Sequence, residues 1–600
     1  MQKRLERREV PEELTWNLAD IFPDQSVWEE ELESVEDILK EVTSYRGRLH
    51  ESGDTLLSCL KTREELHKKL ARVSSYALLQ WASDGTSDQY QANDDRGEDL
   101  KSRVESETSF IKAEILRLSR DDVERFVQEA PELASFGRFI DQIQKKKPYA
   151  LSDDTEETLA ALSGVLNAPV NIYERSKNSD FSFEPVRDGQ GQELPMSFSL
   201  YQGKYESSPD LVLRRNAFAS FTRGLKALQN THGAIFGTEI KKNVTLARLR
   251  GYPSYIDMEL ARQEVTRPVY DNLHDILLGE LAPAMRRFAR LRKRVLGLDQ
   301  LYHCDLGTPL DPDYVAPKTD FEEACKHLIK GLGVMGDEYA ALVQHALENR
   351  WVDRADNIGK ATGAFCEHIP GVHPYILMTW ADSIGSTLTL AHELGHAVHA
   401  ILSERHQRLT NTDTSMFFVE APSGINSLLM SQYFLNQATD KRMRRWVITQ
   451  LVMTYYGTFA NRLMAGELQR RIYALAEAGN PITASVLNRT KGEIMEDYWQ
   501  GEVIVDEGAR LNWMRLVHYY VGLSPFGYSA GLTVGTGVVK AIQETGQEAV
   551  DRWLEVLKAG GSKPPLELAA MAGVDLENPE SFRDAVKFVT SLIDELEESF

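Results

Sequence analysis

Residues His392-Glu393-Leu394-Gly395-His396 form an HExxH run inside the segment 386–406, STLTLAHELGHAVHAILSERH. Leu388, Leu390, Leu394, Val398, Ile401 and Leu402 give this segment the apolar positions of a buried helix, and Ser386 is the expected N-cap. At about 100° per residue, His392 and His396 fall about 40° apart on one face, so both imidazoles can grip one metal ion. Glu393 lies about 60° from His396, where a carboxylate can reach a water at that ion without itself ligating. The competing reading is a helix whose histidines cap it or pair with acids.

A catalytic zinc needs a third protein ligand and an open position. The extended pattern HExxHxxGxxH requires Gly at 399 and His at 402, but the chain has His399 and Leu402, so the third ligand lies elsewhere. His399 reads as a packed neighbour on the same helix. The main candidate is Glu420, 24 residues beyond His396 and preceded by Met416, Phe417, Phe418 and Val419. A carboxylate beside an aromatic cluster is expected to be buried and to need a positive partner. Glu404 competes, but it is expected two turns further along the same helix. A third region, 513–537, gathers His518, Tyr519, Tyr520, Phe526 and Tyr528 among several glycines. A phenol or imidazole there can donate a hydrogen bond to an oxyanion. Tyr519 and Tyr520 are candidates for touching substrate. The plainer alternative is an aromatic core loop.

The elements that must position these residues read mainly as helix. Apolar residues recur at helical spacing over 25–47, 54–80, 97–130 and 153–166. Strands are expected at 181–185, 196–201, 362–367 and 375–380, with the turn-rich link RDGQGQELP between the first two. The fold class expected is mainly α with a small β-sheet. The composition shift at 181–203 places a boundary between an N-terminal helical lobe, 1–195, and a catalytic domain, 196–600.

The 600 residues include 68 basic and 90 acidic side chains, a net charge of −22, which argues against nucleic acid or an anionic membrane as the main partner. Cys59, Cys304, Cys325 and Cys366 form no CxxC, which suits a reducing compartment. The opening MQKRLERREV is charged throughout and no run approaches the ~18 apolar residues of a membrane span, so a cytoplasmic location is expected.

With these motifs in hand, the sequence resembles the thimet-oligopeptidase and oligoendopeptidase F family of zinc peptidases, most nearly its oligoendopeptidase F branch. The resemblance rests on WNLADIFPDQSVWEEEL (16–32), KKPYALSDDTEETLAALS (147–164), LARLRGYPSYIDMEL (246–260), TLAHELGHAVH (389–399), FVEAPS (418–423) and LKAGGSKPPLELAAMAGVDL (557–576). It implies a two-lobed, zincin-type molecule with the metal at the floor of a deep central channel. It implies endopeptidase action on short unstructured peptides, one zinc per chain held by His392, His396 and Glu420, Glu393 as general base, and His518 and Tyr528 as oxyanion donors. The chain departs from the family pattern at Ala361, Ser386, Ser524 and Phe526, which bears on substrate preference. Alternative readings are a zinc carboxypeptidase, which needs a cationic pocket for a free C-terminus, and a peptide-binding protein that has lost catalysis. Oligomeric state is not legible.

Overall fold

A computed structural model describes residues 4–600. The described residues are mainly helical, 72% by share, with two small sheets among them. The expected helices form with capping chemistry that the sequence encodes. The first runs Gln25–Thr43, and the Asp24 carboxylate accepts from the N–H groups of Ser26 and Val27. The second runs Gly53–Ser83 from a Ser52 cap. The periodic stretch 97–130 is two helices, Asp88–Arg117 and Arg120–Glu129. Ser119 breaks it by forming a reciprocal capping box with Asp122, satisfying donors that a continuous helix would not leave free. The stretch 153–166 also divides, into Asp153–Ala161 and Ser163–Leu166.

The strand expectations divide. In the two-stranded sheet β1 (Val186–Arg187) pairs antiparallel with β2 (Glu193–Leu194), just beyond the expected 181–185. The aromatics of 181–185 pack on a helix instead of pairing in a sheet: Phe183 stacks on Phe221 at 5.3 Å, within the helix Leu211–Leu249. The expected strand 196–201 is helical, because the Ser197 hydroxyl caps a turn over Phe198–Leu200 that continues into a π-turn, Tyr201–Tyr205. The other two expectations are met in shortened form. β4 (Phe365–Glu367) runs antiparallel to β5 (Tyr375–Leu377), and β3 (Val352–Asp353) pairs parallel on its other side.

The described residues form two hydrophobic cores. One gathers residues from Trp16 to Ile143 together with Ile369, Tyr375 and Leu377, and the other residues from Val186 to Leu596. β5 stands between them. Side chains alternate along a strand, so Tyr375 and Leu377 enter the first core while Ile376 enters the second. The HExxH helix, Ile384–His406, follows seven residues after this strand and rests on the second core.

Candidate active site

The HExxH helix begins one residue after Ser383, not at Ser386. The Ser383 hydroxyl accepts from the Ser386 N–H at 3.1 Å, so Ser386 lies inside the first turn. From there the helix carries His392 and His396 to one face, with ring centroids 5.1 Å apart. The helix Glu420–Gln437 crosses this face and begins with Glu420 itself. Its Oε2 lies 3.4 Å from His392 Nε2 and 3.7 Å from His396 Nε2.

Two glycines permit this approach. A Cβ on Gly395 would sit 2.6 Å from the Pro422 carbonyl oxygen, so the HExxH helix meets the Glu420 helix backbone to backbone. A Cβ on Gly531 would sit 3.0 Å from Glu420 Cβ, which allows the helix Ser524–Thr545 to close the other side. Polar bonds fix the register. Asn426 Nδ2 donates to the Ala391 carbonyl at 3.0 Å, and the Tyr339 hydroxyl donates to Asn426 Oδ1 at 2.7 Å. The Ser423 hydroxyl donates to Glu420 Oε2 at 3.1 Å, and Ser427 Oγ lies 3.4 Å from His392 Nδ1. Such contacts orient ligand side chains.

The electrostatics follow from burial and from this pairing. Burial opposes ionisation of Glu420, but the His392 hydrogen bond and the nearby His396 outweigh it and hold the carboxyl at about 2. Burial pushes His396 down to about 4. His392 is raised overall: burial lowers it, but the Glu420 bond and Glu393 outweigh that. Glu393 is 5% exposed, and burial lifts its carboxyl to about 7. The donor atoms of His392, His396 and Glu420 all lie within 4.8 Å of one another, the metal-compatible group among the described residues. Ligands about 2.0–2.1 Å from a tetrahedral centre stand about 3.3–3.4 Å apart. The separations seen here are close to that, and two imidazoles with a carboxylate suit a divalent transition cation.

The competing ligand Glu404 is engaged elsewhere: it accepts from the Gly371 N–H at 2.6 Å and lies 3.2 Å from His368 Nε2. His399 is 7% exposed, and burial takes it down to about 3, a neutral packed ring.

The C-terminal residues separate by role. His518 lies in the short turn Val517–Tyr520 and Tyr528 near the start of the helix Ser524–Thr545, with His518 Nε2 3.4 Å from the Tyr528 hydroxyl. Burial, helped by Arg462 and Lys177, drives His518 down to about 4, so the ring is neutral. Burial lifts the Tyr528 phenol above its ordinary value, with Arg462 pulling it back. Tyr519 is 1% exposed and packs on Phe236 at 5.0 Å, so it is a core residue and cannot meet substrate as expected. Tyr520 is half-buried, against Phe236 and Tyr173. Phe526 is 1% exposed, between Tyr270 and Phe417, where an apolar ring suits the surroundings. Ser524 opens the helix, and Ala361 pairs its N–H with the Ala82 carbonyl at 2.8 Å. Arg462, whose Nη1 donates to His518 Nε2 at 3.0 Å, is marked by no local pattern in the sequence.

Comparison with known proteins gives the family. The model of peptidase family M3 matches residues 204–588, and that described as Oligopeptidase F matches 114–183. Oligopeptidase PepF of Bacillus subtilis strain 168 is 32% identical, over 99% of this chain and 88% of that protein. Group B oligopeptidase PepB of Streptococcus agalactiae is 27% identical, over 98% of each chain. A solved structure from Chlamydophila abortus superposes with a TM-score of 0.87 at 24% identity, covering 100% of both chains. The oligoendopeptidase-F structure from Enterococcus faecium gives 0.76 at 25% identity, covering 95% of this chain and 98% of that one. With one family model spanning most of the chain and full-length similarity to a curated oligopeptidase, the protein belongs to peptidase family M3, in its oligoendopeptidase F branch, and is a metalloendopeptidase.

Proposed function

We propose that the protein is a zinc-dependent oligoendopeptidase that cuts internal bonds of short, unstructured peptides. The observation that carries this reading is the convergence of His392, His396 and Glu420 with Glu393 buried beside them. Those three residues would hold one zinc ion per chain. Zinc, when bound, supplies a Lewis acid that polarises a carbonyl and lowers the pKa of water.

The chain's own groups do the rest. Glu393 accepts the proton of the attacking water and passes it to the leaving amine. Low exposure keeps this carboxylate from exchanging protons freely with bulk solvent. The Tyr528 hydroxyl donates a hydrogen bond to the oxygen that becomes negative as the carbonyl carbon turns tetrahedral. His518 lies against that phenol, with its Nε2 already accepting from Arg462. Its part in oxyanion stabilisation is therefore exercised through Tyr528. The cysteines have no step to perform. A helical lobe, 1–195, facing a catalytic lobe, 196–600, would restrict entry to extended peptides, with half-buried Tyr520 the remaining aromatic of its turn within reach of substrate.

The test is mass spectrometry of products from an end-blocked peptide library, run with the parent, Glu393→Gln and Glu420→Ala beside zinc analysis. Internal cleavage by the parent is expected. Glu393→Gln should keep its zinc and lose at least about 10²-fold in kcat, and Glu420→Ala should lose its zinc on dialysis against a mild chelator. Cleavage confined to unblocked C-termini would overturn the endopeptidase reading. Stoichiometric zinc in Glu420→Ala would overturn the ligand set.

A further inference from the structure

Arg462 ends a π-helical segment, Tyr456–Arg462, between the helices Lys441–Tyr455 and Leu463–Glu477. Such segments are rare inside long helices and occur disproportionately at functional sites, because the wider turn displaces side chains and frees backbone carbonyls. Both effects are present. The Ser529 hydroxyl donates to the Thr458 carbonyl at 2.9 Å, so the residue next to Tyr528 is tied to the π segment. At the segment's end the Arg462 guanidinium carbon lies over the Tyr528 ring, 3.9 Å from its centroid, and Nη1 donates to His518 Nε2 at 3.0 Å. No ion pair of Arg462 occurs among the described residues, so its charge is turned on these two rings and not on a carboxylate.

From this geometry we infer that Arg462 is a positioning residue that fixes the His518 tautomer and the attitude of the Tyr528 phenol. A guanidinium has only donors. Its bond therefore makes Nε2 the unprotonated nitrogen of His518 and leaves the ring hydrogen on Nδ1, a buried atom with no partner. With Nε2 occupied and unprotonated, His518 offers no N–H towards the Tyr528 hydroxyl 3.4 Å away. The cation over the ring face also polarises the phenol, which favours donation through its hydroxyl. The planar fork sets both contacts at once, which a lysine ammonium cannot do.

The inference rests on the reading of Tyr528 as the oxyanion donor, and a double-mutant cycle on one end-blocked peptide separates the two. Arg462→Met, Tyr528→Phe and the double variant are compared with the parent by kcat and KM, beside melting curves. Arg462→Met should lower kcat by roughly 10–100-fold, the scale of a misplaced reacting group, with KM within about threefold. In the Tyr528→Phe background the same change should cost less than about threefold, because the group it positions is gone. Arg462→Lys keeps charge and stem and covers the case in which the methionine variant fails to fold; it should show the same kcat loss. An Arg462→Met or Arg462→Lys kcat within threefold of the parent, or an equal loss in both backgrounds, overturns the assignment while leaving Tyr528 intact. A parent-like kcat in Tyr528→Phe overturns the phenol's role and this assignment with it.

Discussion

Two tyrosines of the C-terminal segment, Tyr519 and Tyr528, meet different fates, and the difference is decided by where each hydroxyl ends. Tyr528 is half-buried, with its hydroxyl beside His518 and its ring under Arg462. Tyr519 is sealed in the core, and its hydroxyl has no partner. Removing a single oxygen therefore has opposite consequences. Tyr528→Phe should lower kcat about 10²–10³-fold with KM little altered, the cost of losing one oxyanion donor. Tyr519→Phe should leave kcat at the parent value and keep or slightly raise the melting temperature, because an unpartnered buried hydroxyl costs desolvation without return. Steady-state kinetics and melting curves on the two variants check both. A large kcat loss in Tyr519→Phe would place that phenol at the site despite its burial. The departures at Phe526 and Ser524 sit away from this contrast: one fills an aromatic core and the other starts a helix.

Helices meet at the site more closely than side chains ordinarily permit, and this is an element-scale property. Gly395, within the HExxH run itself, faces the Pro422 carbonyl and Ser423 Cα at distances that leave no room for a methyl group. Gly395→Ala forces the two helix backbones apart or bends one of them. A cost of about 1–3 kcal/mol is expected, read from denaturant unfolding. Because the shift separates Glu420 from both histidines, zinc held against a competing chelator should fall in the same variant. A Gly395→Ala protein with parental stability and zinc affinity would show that this contact yields freely. The glycine spacing was in the sequence, but its meaning depended on knowing which helix lay opposite. The HExxH pair was legible because an i, i+4 spacing fixes its own geometry, and Glu420 because its aromatic neighbours pointed to a sheltered carboxylate in need of a positive partner, which the half-buried side chain finds in His392 and His396. Arg462 was not, since its partner is 56 residues away and only a π-turn aims it there. Residues 181–185 and 196–201 misled for a related reason. Alternating aromatics need only one apolar face, and a helix supplied it where a sheet was expected.

At the scale of the whole molecule, the two cores are joined by β5 and by ion pairs spanning long stretches of chain. Glu64, 9% exposed on the second helix, holds the Arg408 guanidinium at 2.6 Å and accepts from Thr410 N–H at 3.3 Å. Glu264 does the same from the other side, binding Arg138 through both carboxylate oxygens, Lys145 at 3.1 Å and Gln142 at 3.3 Å. Its backbone lies at φ 57°, in the left-handed region at the C-cap of the helix Tyr255–Gln263. Glycine is the usual occupant of such a position, so the glutamate carries a backbone cost that its side-chain bonds must offset. Burial opposes its ionisation, but the Arg138 and Lys145 bonds outweigh that and hold the carboxyl at about 2, against an ordinary 4.5. The sign follows from linkage. A folded-state pKa depressed below the unfolded value contributes stability that is complete above about 4.5 and is lost as pH falls towards 2. Glu264→Gln removes the charge at every pH. Its melting temperature should lie below the parent's at pH 7, and the two should converge as pH drops through 4 towards 2, other acid-labile groups affecting both proteins alike. Thermal melts of the pair across that range measure the difference directly. A gap that stays constant down to pH 2 would assign the loss to packing at the cap, and equal melting at pH 7 would show that the two cores are held together without this ion pair.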